Sequence, residues 1–353
     1  MINGTPYVFL GANTSDGFVN KFYNKYDNLY TYIIKGGPGC GKSSFMKAVA
    51  KRAEELNQPV IKAPCSSDPT SLDAVILPNQ KIMIADGTSP HVLDPVYPGV
   101  KEEIINFGEF WNKEMLENSG EKIIELTDKN KALHKKASVC LNALGRVKRD
   151  NFGIYLSAVD IKKTAHFAAM IANRYLAKNG KRAKERVCFL SGETPNKTVF
   201  YQETINCLCE KKVIINDQMF AVSGIMMSII RDIALANGYN ILTAKNHLLP
   251  NEKIDHIIIP EANVAFCTEA DSVKFNDTDR RTRTERFCNK EIIKKSANRI
   301  ALNKKLEVAF LNQTHNLLAS AKQVHDQLEE HYIKAMNYER LNEYTEKFIN
   351  SVF

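Results

Sequence analysis

The sequence predicts an α/β protein of two tandem units, each a mostly parallel sheet flanked by helices with a helical segment appended. Three observations predict it. A glycine-rich stretch, Gly36 to Ser43, lies between an apolar run and a segment of helical spacing. A second apolar run, Lys81-Ile82-Met83-Ile84-Ala85-Asp86, ends in an acid. The whole pattern then restarts near residue 187.

In chain order, Tyr7 to Asn20 reads as a short strand and a turn. Tyr32-Ile33-Ile34 reads as the end of a buried strand, and the apolar spacing of Phe45, Met46, Val49, Ala53 and Leu56 as a helix. Between them, Gly36 to Ser43 fits the phosphate-binding pattern G-x-x-x-x-G-K-[ST] in the strand–loop–helix setting that it requires. Glycines turn successive backbone N–H groups inward, and a helix N-terminus adds favourable partial charge for an anion. The expected nucleotide contacts are Gly36, Gly37, Pro38, Gly39, Cys40, Gly41, Lys42, Ser43 and Ser44. Lys42 is expected on the β- and γ-phosphates, and Ser43 on Mg2+.

Past that helix, Val60 to Ala63 is a strand, Ser66 to Asp73 a polar loop, and Ala74 to Leu77 a further apolar run. The 81–86 run has the form of a Walker B strand, delivering Asp86 to the sheet's carboxyl edge as a second metal ligand. From Val100 the texture becomes charged and helix-rich, and Trp111, the single tryptophan, reads as core filling.

Composition is that of a globular protein: 353 residues, 44% hydrophobic, 25% charged, net charge +8. The length suits two domains. No run is long enough to span a bilayer and no signal region opens the chain, which argues for the cytoplasm. The eight cysteines form no C-x-x-C pair and read as reduced thiols. The charge permits nucleic-acid contact without requiring it.

The second half repeats the first. Phe189, Leu190, Thr194 and Val199 answer Phe9, Leu10, Thr14 and Val19 at a spacing of 180 residues. Ile214, Ile215 and Met227 answer Ile33, Ile34 and Met46 at 181, and Tyr332 answers Tyr155 at 177. Ordered, slowly drifting spacings indicate duplication. The boundaries follow: a unit over 1–185, with its α/β core at 1–99 and helices at 100–185, and a unit over 186–353, with its core at 186–275 and helices at 276–353. In the second copy Asp217, Val222, Ser223 and Gly224 replace Gly36, Gly41, Lys42 and Ser43, and Thr268 replaces Asp86. One working nucleotide site per chain is expected, with a pseudo-NTPase second half.

Gly11-Ala12-Asn13-Thr14, the loop from Lys35 to Ser43, Cys65 to Asp68 with Ser71-Leu72-Asp73, Asp86-Gly87-Thr88-Ser89-Pro90-His91 and the Tyr332-to-Leu341 segment together resemble an uncharacterised bacterial family of tandem-duplicated P-loop ATPases. The resemblance covers essentially the whole chain. In the family both halves can carry an intact loop; this chain keeps only the first. The resemblance implies nucleotide binding and hydrolysis, without an established substrate.

Three further places have two readings each. Asp68 is a water-positioning group or a cap, whereas Asp73 leans toward a structural role because Asp255 repeats it in the degenerate copy. His91, with Asp94 beside it, is an active-site group or a hydrogen-bonded structural histidine. The basic run from Asp277 to Arg286 is a solvated surface, or else a lid delivering an arginine or touching nucleic acid. The expected chemistry is Mg2+-dependent ATP hydrolysis, with Lys42, Asp86, Asp68 and His91 as the catalytic set. The alternatives are phosphoryl transfer to a small-molecule acceptor and a non-catalytic switch that binds a protein partner.

Overall fold

The computed structural model describes residues 4–21, 29–90, 92–219, 221–270, 273–275 and 280–353. The first half opens with a hairpin, β1 (Gly11–Thr14) and β2 (Gly17–Asn20). β3 (Tyr30–Lys35) follows, then α1 (Lys42–Glu55), β4 (Ile61–Pro64), β5 (Leu72–Leu77), β6 (Ile82–Asp86) and β7 (Glu102–Asn106). The helices α2 (Lys113–Asn118), α3 (Gly120–Ser157) and α4 (Ile161–Tyr175) complete it. After the edge strand β8 (Glu185–Cys188) the series runs again. It comprises β9 (Ser191–Glu193), β10 (Thr198–Phe200), α5 (Gln202–Leu208), β11 (Lys211–Asn216), α6 (Ala221–Ala236) and β12 (Ile241–Lys245). β13 (Ile254–Ile259), β14 (Val264–Glu269), β15 (Arg280–Arg283), α7 (Lys290–Lys295), α8 (Ala297–Ala335) and α9 (Tyr338–Val352) end the chain.

The first sheet has the order β4-β5-β6-β3-β7, and the second β8-β12-β13-β14-β11-β15. Apart from β8, one order is the image of the other. Both sheets are mixed, and the first is not mostly parallel: β3 runs parallel to β6 and β7, whereas β5 is antiparallel to β4 and β6. In the second, β11 runs parallel to β14 and β15 and β12 to β8, whereas β13 is antiparallel to β12 and β14. The reason lies in the connections. Residues 65–71 and 78–81 are too few for the crossover that a parallel pair needs, so the chain turns straight back. A second correction concerns residues 100–106. β7 belongs to the sheet, so the helical segment begins after it.

Alternation along the strands places one apolar set on each face. Ile33, Ile76 and Met83 point inward and join Leu190, Ile214 and Ile258 in one cluster shared by the two sheets. Ile34, Val75 and Ile84 point outward and are covered by Phe45, Met46 and Val49 of α1 together with Leu341 and Phe348 of α9. On the far side Val213, Ile215 and Ile257 are covered by Met226 and Ile230 of α6 and by Ala168 and Ile171 of α4. Each half therefore lends its last helix to the other half's sheet. The loan is made by α3 and α8, which pack along each other in opposite directions: Leu126 meets Val324 and Leu328 near one end, and Asp150 binds Arg299 at 2.6 Å near the other.

Candidate functional site

The glycine loop joins the end of β3 to the start of α1. Gly39 (φ +68°) and Gly41 (φ +89°) occupy the left-handed region, which admits glycine without a Cβ clash. No side chain caps the α1 N-terminus and no acidic residue stands in its first turn, so its partial positive charge faces the loop. Ser43 and Ser44 lie in that turn, Ser44 exposed. Lys42 folds back across the loop, its Nζ donating to Gly36 O at 2.9 Å and Gly37 O at 2.8 Å. Ser43 Oγ accepts the Leu72 N–H at 3.0 Å, tying the loop to the start of β5. Cys40 is buried, which pushes its thiol up against a lowering influence from Lys42, so it is not a ready nucleophile. Leu56, expected on the buried face of the helix, is its C-cap and 39% exposed.

Asp86 closes β6, the strand hydrogen-bonded in parallel to the strand that feeds the loop. The register sets Asp86 opposite Ile34, two residues before Gly36. Its Oδ2 consequently stands 3.5 Å from Lys42 Nζ, while Oδ1 accepts the Thr88 N–H at 2.9 Å and the Thr88 hydroxyl at 2.5 Å. Lys35 anchors the following segment by donating to Gly87 O, Leu93 O and Asp94 at 2.6–2.9 Å. Asp94 is thus a tether of that segment. His91 lies outside the described residues.

Asp68 is not a helix cap. It closes its own loop, accepting from Thr70 N, Thr70 Oγ1 and Ser71 Oγ at 2.7–3.1 Å, with Lys322 Nζ 3.5 Å away. Burial works to raise its carboxyl, but Thr70, Lys322 and Ser71 outweigh burial and hold it below the usual carboxylate range. Asp73 is not a loop residue but lies inside β5, 3% exposed, where its charge helps burial push the Cys65 thiol well up. Of the basic run, residues 277–279 lie outside the described residues, and Arg280–Arg283 are not a lid but form β15, paired in parallel with β11. Arg281 binds Glu269 at 2.8 Å, and Arg286 lies over the rings of Phe167 and Phe287 at 4.3 and 4.8 Å.

The helices that cover the loop carry no nucleotide-binding motif of their own. A Cβ on Gly37 would lie 2.3 Å from the Tyr332 ring, and one on Gly39 would lie 2.9 Å from Glu329 O. Tyr338 donates its hydroxyl to Gly39 O at 2.9 Å, and a Cβ on Gly41 would meet Leu341 at 2.7 Å. Trp111 packs on Tyr332, centroids 5.8 Å apart, in keeping with a filling role. The one sequence signal for this contact is the Tyr332-to-Leu341 segment within the resemblance, nearly 300 residues from the loop.

The equivalent corner of the second half is built differently. Asp217, which replaces Gly36, is fully buried and turns its carboxylate into the start of α6. It accepts from Ser223 N at 2.6 Å, Met219 N at 3.0 Å and Thr284 Oγ1 at 3.3 Å. Lys253, also fully buried and lying against Gly224 of α6, is ion-paired with Asp255. The anion that this helix end favours is part of the chain itself. Thr268 pairs with Ile215 as Asp86 pairs with Ile34, and brings no carboxylate.

Comparisons with protein-family models, curated proteins and solved structures find no match to this chain. Among the described residues no helix is long and apolar enough to cross a membrane, and no three His, Cys, Asp or Glu side chains are grouped to hold a metal ion. All eight cysteines are free thiols.

Proposed function

We propose that the chain binds a nucleoside triphosphate, ATP by default, on the Gly36–Ser43 loop and hydrolyses its terminal phosphate. The chain would then be a P-loop ATPase of two tandem units with one working site, as its resemblance to that family implies, acting in the cytoplasm. The observation that carries the reading is the convergence of Lys42, Ser43 and Asp86 at an uncapped helix N-terminus. A polyphosphate laid along the loop takes Lys42 from its two carbonyl partners, and the α1 N–H groups hold the remaining oxygens. The hydroxyl of Ser43 and the carboxylate of Asp86 are oxygen donors of the kind Mg2+ prefers, two being enough because that ion keeps waters and takes phosphate oxygens. When bound, Mg2+ supplies charge neutralisation across the β- and γ-phosphates.

A second reading, a nucleotide-dependent switch, is favoured by the packing of Tyr332 and Glu329 on Gly37 and Gly39, which links loop conformation to the long helices. Transfer to a small acceptor is favoured less, since residues 280–283 of the lid-like run form strand β15. One experiment separates them: nucleotide affinity and phosphate release for the wild type and Lys42→Ala. Hydrolysis with Mg2+, abolished in the variant, supports the ATPase. Tight binding with negligible turnover supports the switch. A wild type that binds neither ATP nor GTP overturns both.

A further inference from the structure

We propose that Lys322, carried on α8 by the second half of the chain, is the cation that meets the terminal phosphate of a nucleotide bound on the first half's loop. The inference rests on the ATPase reading above and assigns a residue that the reading leaves out.

The last turns of α8 lie along the glycine loop, with Tyr332 against Gly37 and both Glu329 and Ile333 against Gly39. Seven residues back from Glu329 is two helical turns, about 10 Å along the same face. Lys322 stands there, and its Nζ is 3.5 Å from Asp68 Oδ2. The loop bearing Asp68 leads directly into β5, whose first N–H is bound by Ser43 Oγ at 3.0 Å. Lys322 is thereby held on the Ser43 flank of the loop, where the terminal phosphate of a bound nucleotide and its metal would lie.

The charged groups facing Lys322 are Asp326, which accepts from it, Asp68, and Glu329, which is itself paired with His325. Burial opposes its charge, but Asp326 and Asp68 outweigh burial and keep the lysine protonated. Its contact with Asp68 is longer than a direct hydrogen bond, and its side chain is 29% exposed, so the ammonium can exchange Asp68 for a phosphate oxygen without unfolding α8. The loop's own neighbouring cation cannot serve, since Lys35 is committed to Gly87, Leu93 and Asp94. Charge spreads over the transferred phosphoryl oxygens in the transition state, and Lys42 meets it from the loop side only. A second cation, carried by α8, stabilises that state more than the bound nucleotide.

The test uses the full chain and compares Lys322→Met and Lys322→Arg with the wild type, with thermal melts to verify folding. The expected result is a fall in kcat of at least about 100-fold in Lys322→Met, partial recovery in Lys322→Arg, and a Kd for Mg·ATP within about threefold of wild type. Trapping of Mg·ADP with aluminium fluoride should be lost in parallel. Turnover in Lys322→Met within about threefold of wild type overturns the assignment, as does a loss of affinity that accounts for the whole loss of turnover. A wild type that fails to bind or hydrolyse ATP brings down the ATPase reading itself. A wild type that hydrolyses ATP alongside an unimpaired Lys322→Met brings down only Lys322.

Discussion

Phe9 and Phe189 exchange backbone hydrogen bonds, Phe189 O accepting the Phe9 N–H at 2.8 Å and Phe9 O accepting the Phe189 N–H at 3.1 Å. The two residues are equivalent positions of the internal repeat, so the chain meets its own copy as an isologous dimer would. The outlying bridges obey the same rule. Trp111 pairs with Met336 and Val159 with Cys288, and adding 177 turns each pair into the other. A fragment of residues 1–185 therefore leaves the inner face of its sheet uncovered and α4 without a sheet to cover. It is expected to associate or aggregate on size-exclusion chromatography with light scattering. A stable monomer with native helicity would contradict the exchange.

Asp217 accepts two backbone N–H groups and one hydroxyl in a fully buried corner. Asp217→Ala should destabilise the protein by roughly 2–4 kcal/mol, because donors are left unsatisfied away from water. Urea unfolding measures this. Nucleotide stoichiometry should stay at one per chain, since Ser223 stands in the position of the loop lysine.

Gly37 admits the Tyr332 ring where any other residue would clash at 2.3 Å from backbone-fixed Cβ to ring carbon. Gly37→Ala is expected to cost about 1–3 kcal/mol by overpacking. Adding Tyr332→Ala should recover part of that loss, a coupling that a double-mutant cycle in chemical denaturation reads directly. Strict additivity would show that α8 does not press on the loop.

His256 lies in β13, 3% exposed, stacked on Phe200 and edge-on to Phe275. Burial pulls its pKa down to about 4, Lys253 acting with burial and Asp255 against it. An unfolded histidine takes its proton near pH 6.5, so between about 6.5 and 4 the unfolded state binds more protons than the folded one. Stability is full above that window and falls through it on acidification, by roughly 3 kcal/mol from this residue. His256→Phe, which suits the surrounding rings, should flatten this part of the stability-versus-pH profile. An unchanged slope would move the titration elsewhere.

Much of the site was legible before any coordinates. The loop, the strand before it, the helix after it and Asp86 all depend on residues close in sequence, and the strand register brings Asp86 to Lys42 as the pattern implies. The absence of the glycine-loop pattern from the second half was also readable from Asp217, Val222 and Ser223, although not the use to which Asp217 is put. Asp68 and Asp73 were ambiguous because an aspartate in a turn-rich stretch serves caps, turns and strand ends alike. The run at 280–286 looked like a lid because its charge density hides two arginines held by Glu269 and by aromatic rings.

By itself the sequence determined the glycine turn, the alternation that makes each strand two-faced, and the repeat. These are matters of local conformation and of spacing along the chain. Only the tertiary structure decided that β5 runs back against its neighbours, that α4 and α9 cross to the opposite sheets, and that Tyr332 and Tyr338 stand over a loop nearly 300 residues away. Apolar periodicity says that a helix has a face to bury, but it does not say against what. That choice follows from how α3 and α8 pack along each other and from the shared inner face of the two sheets.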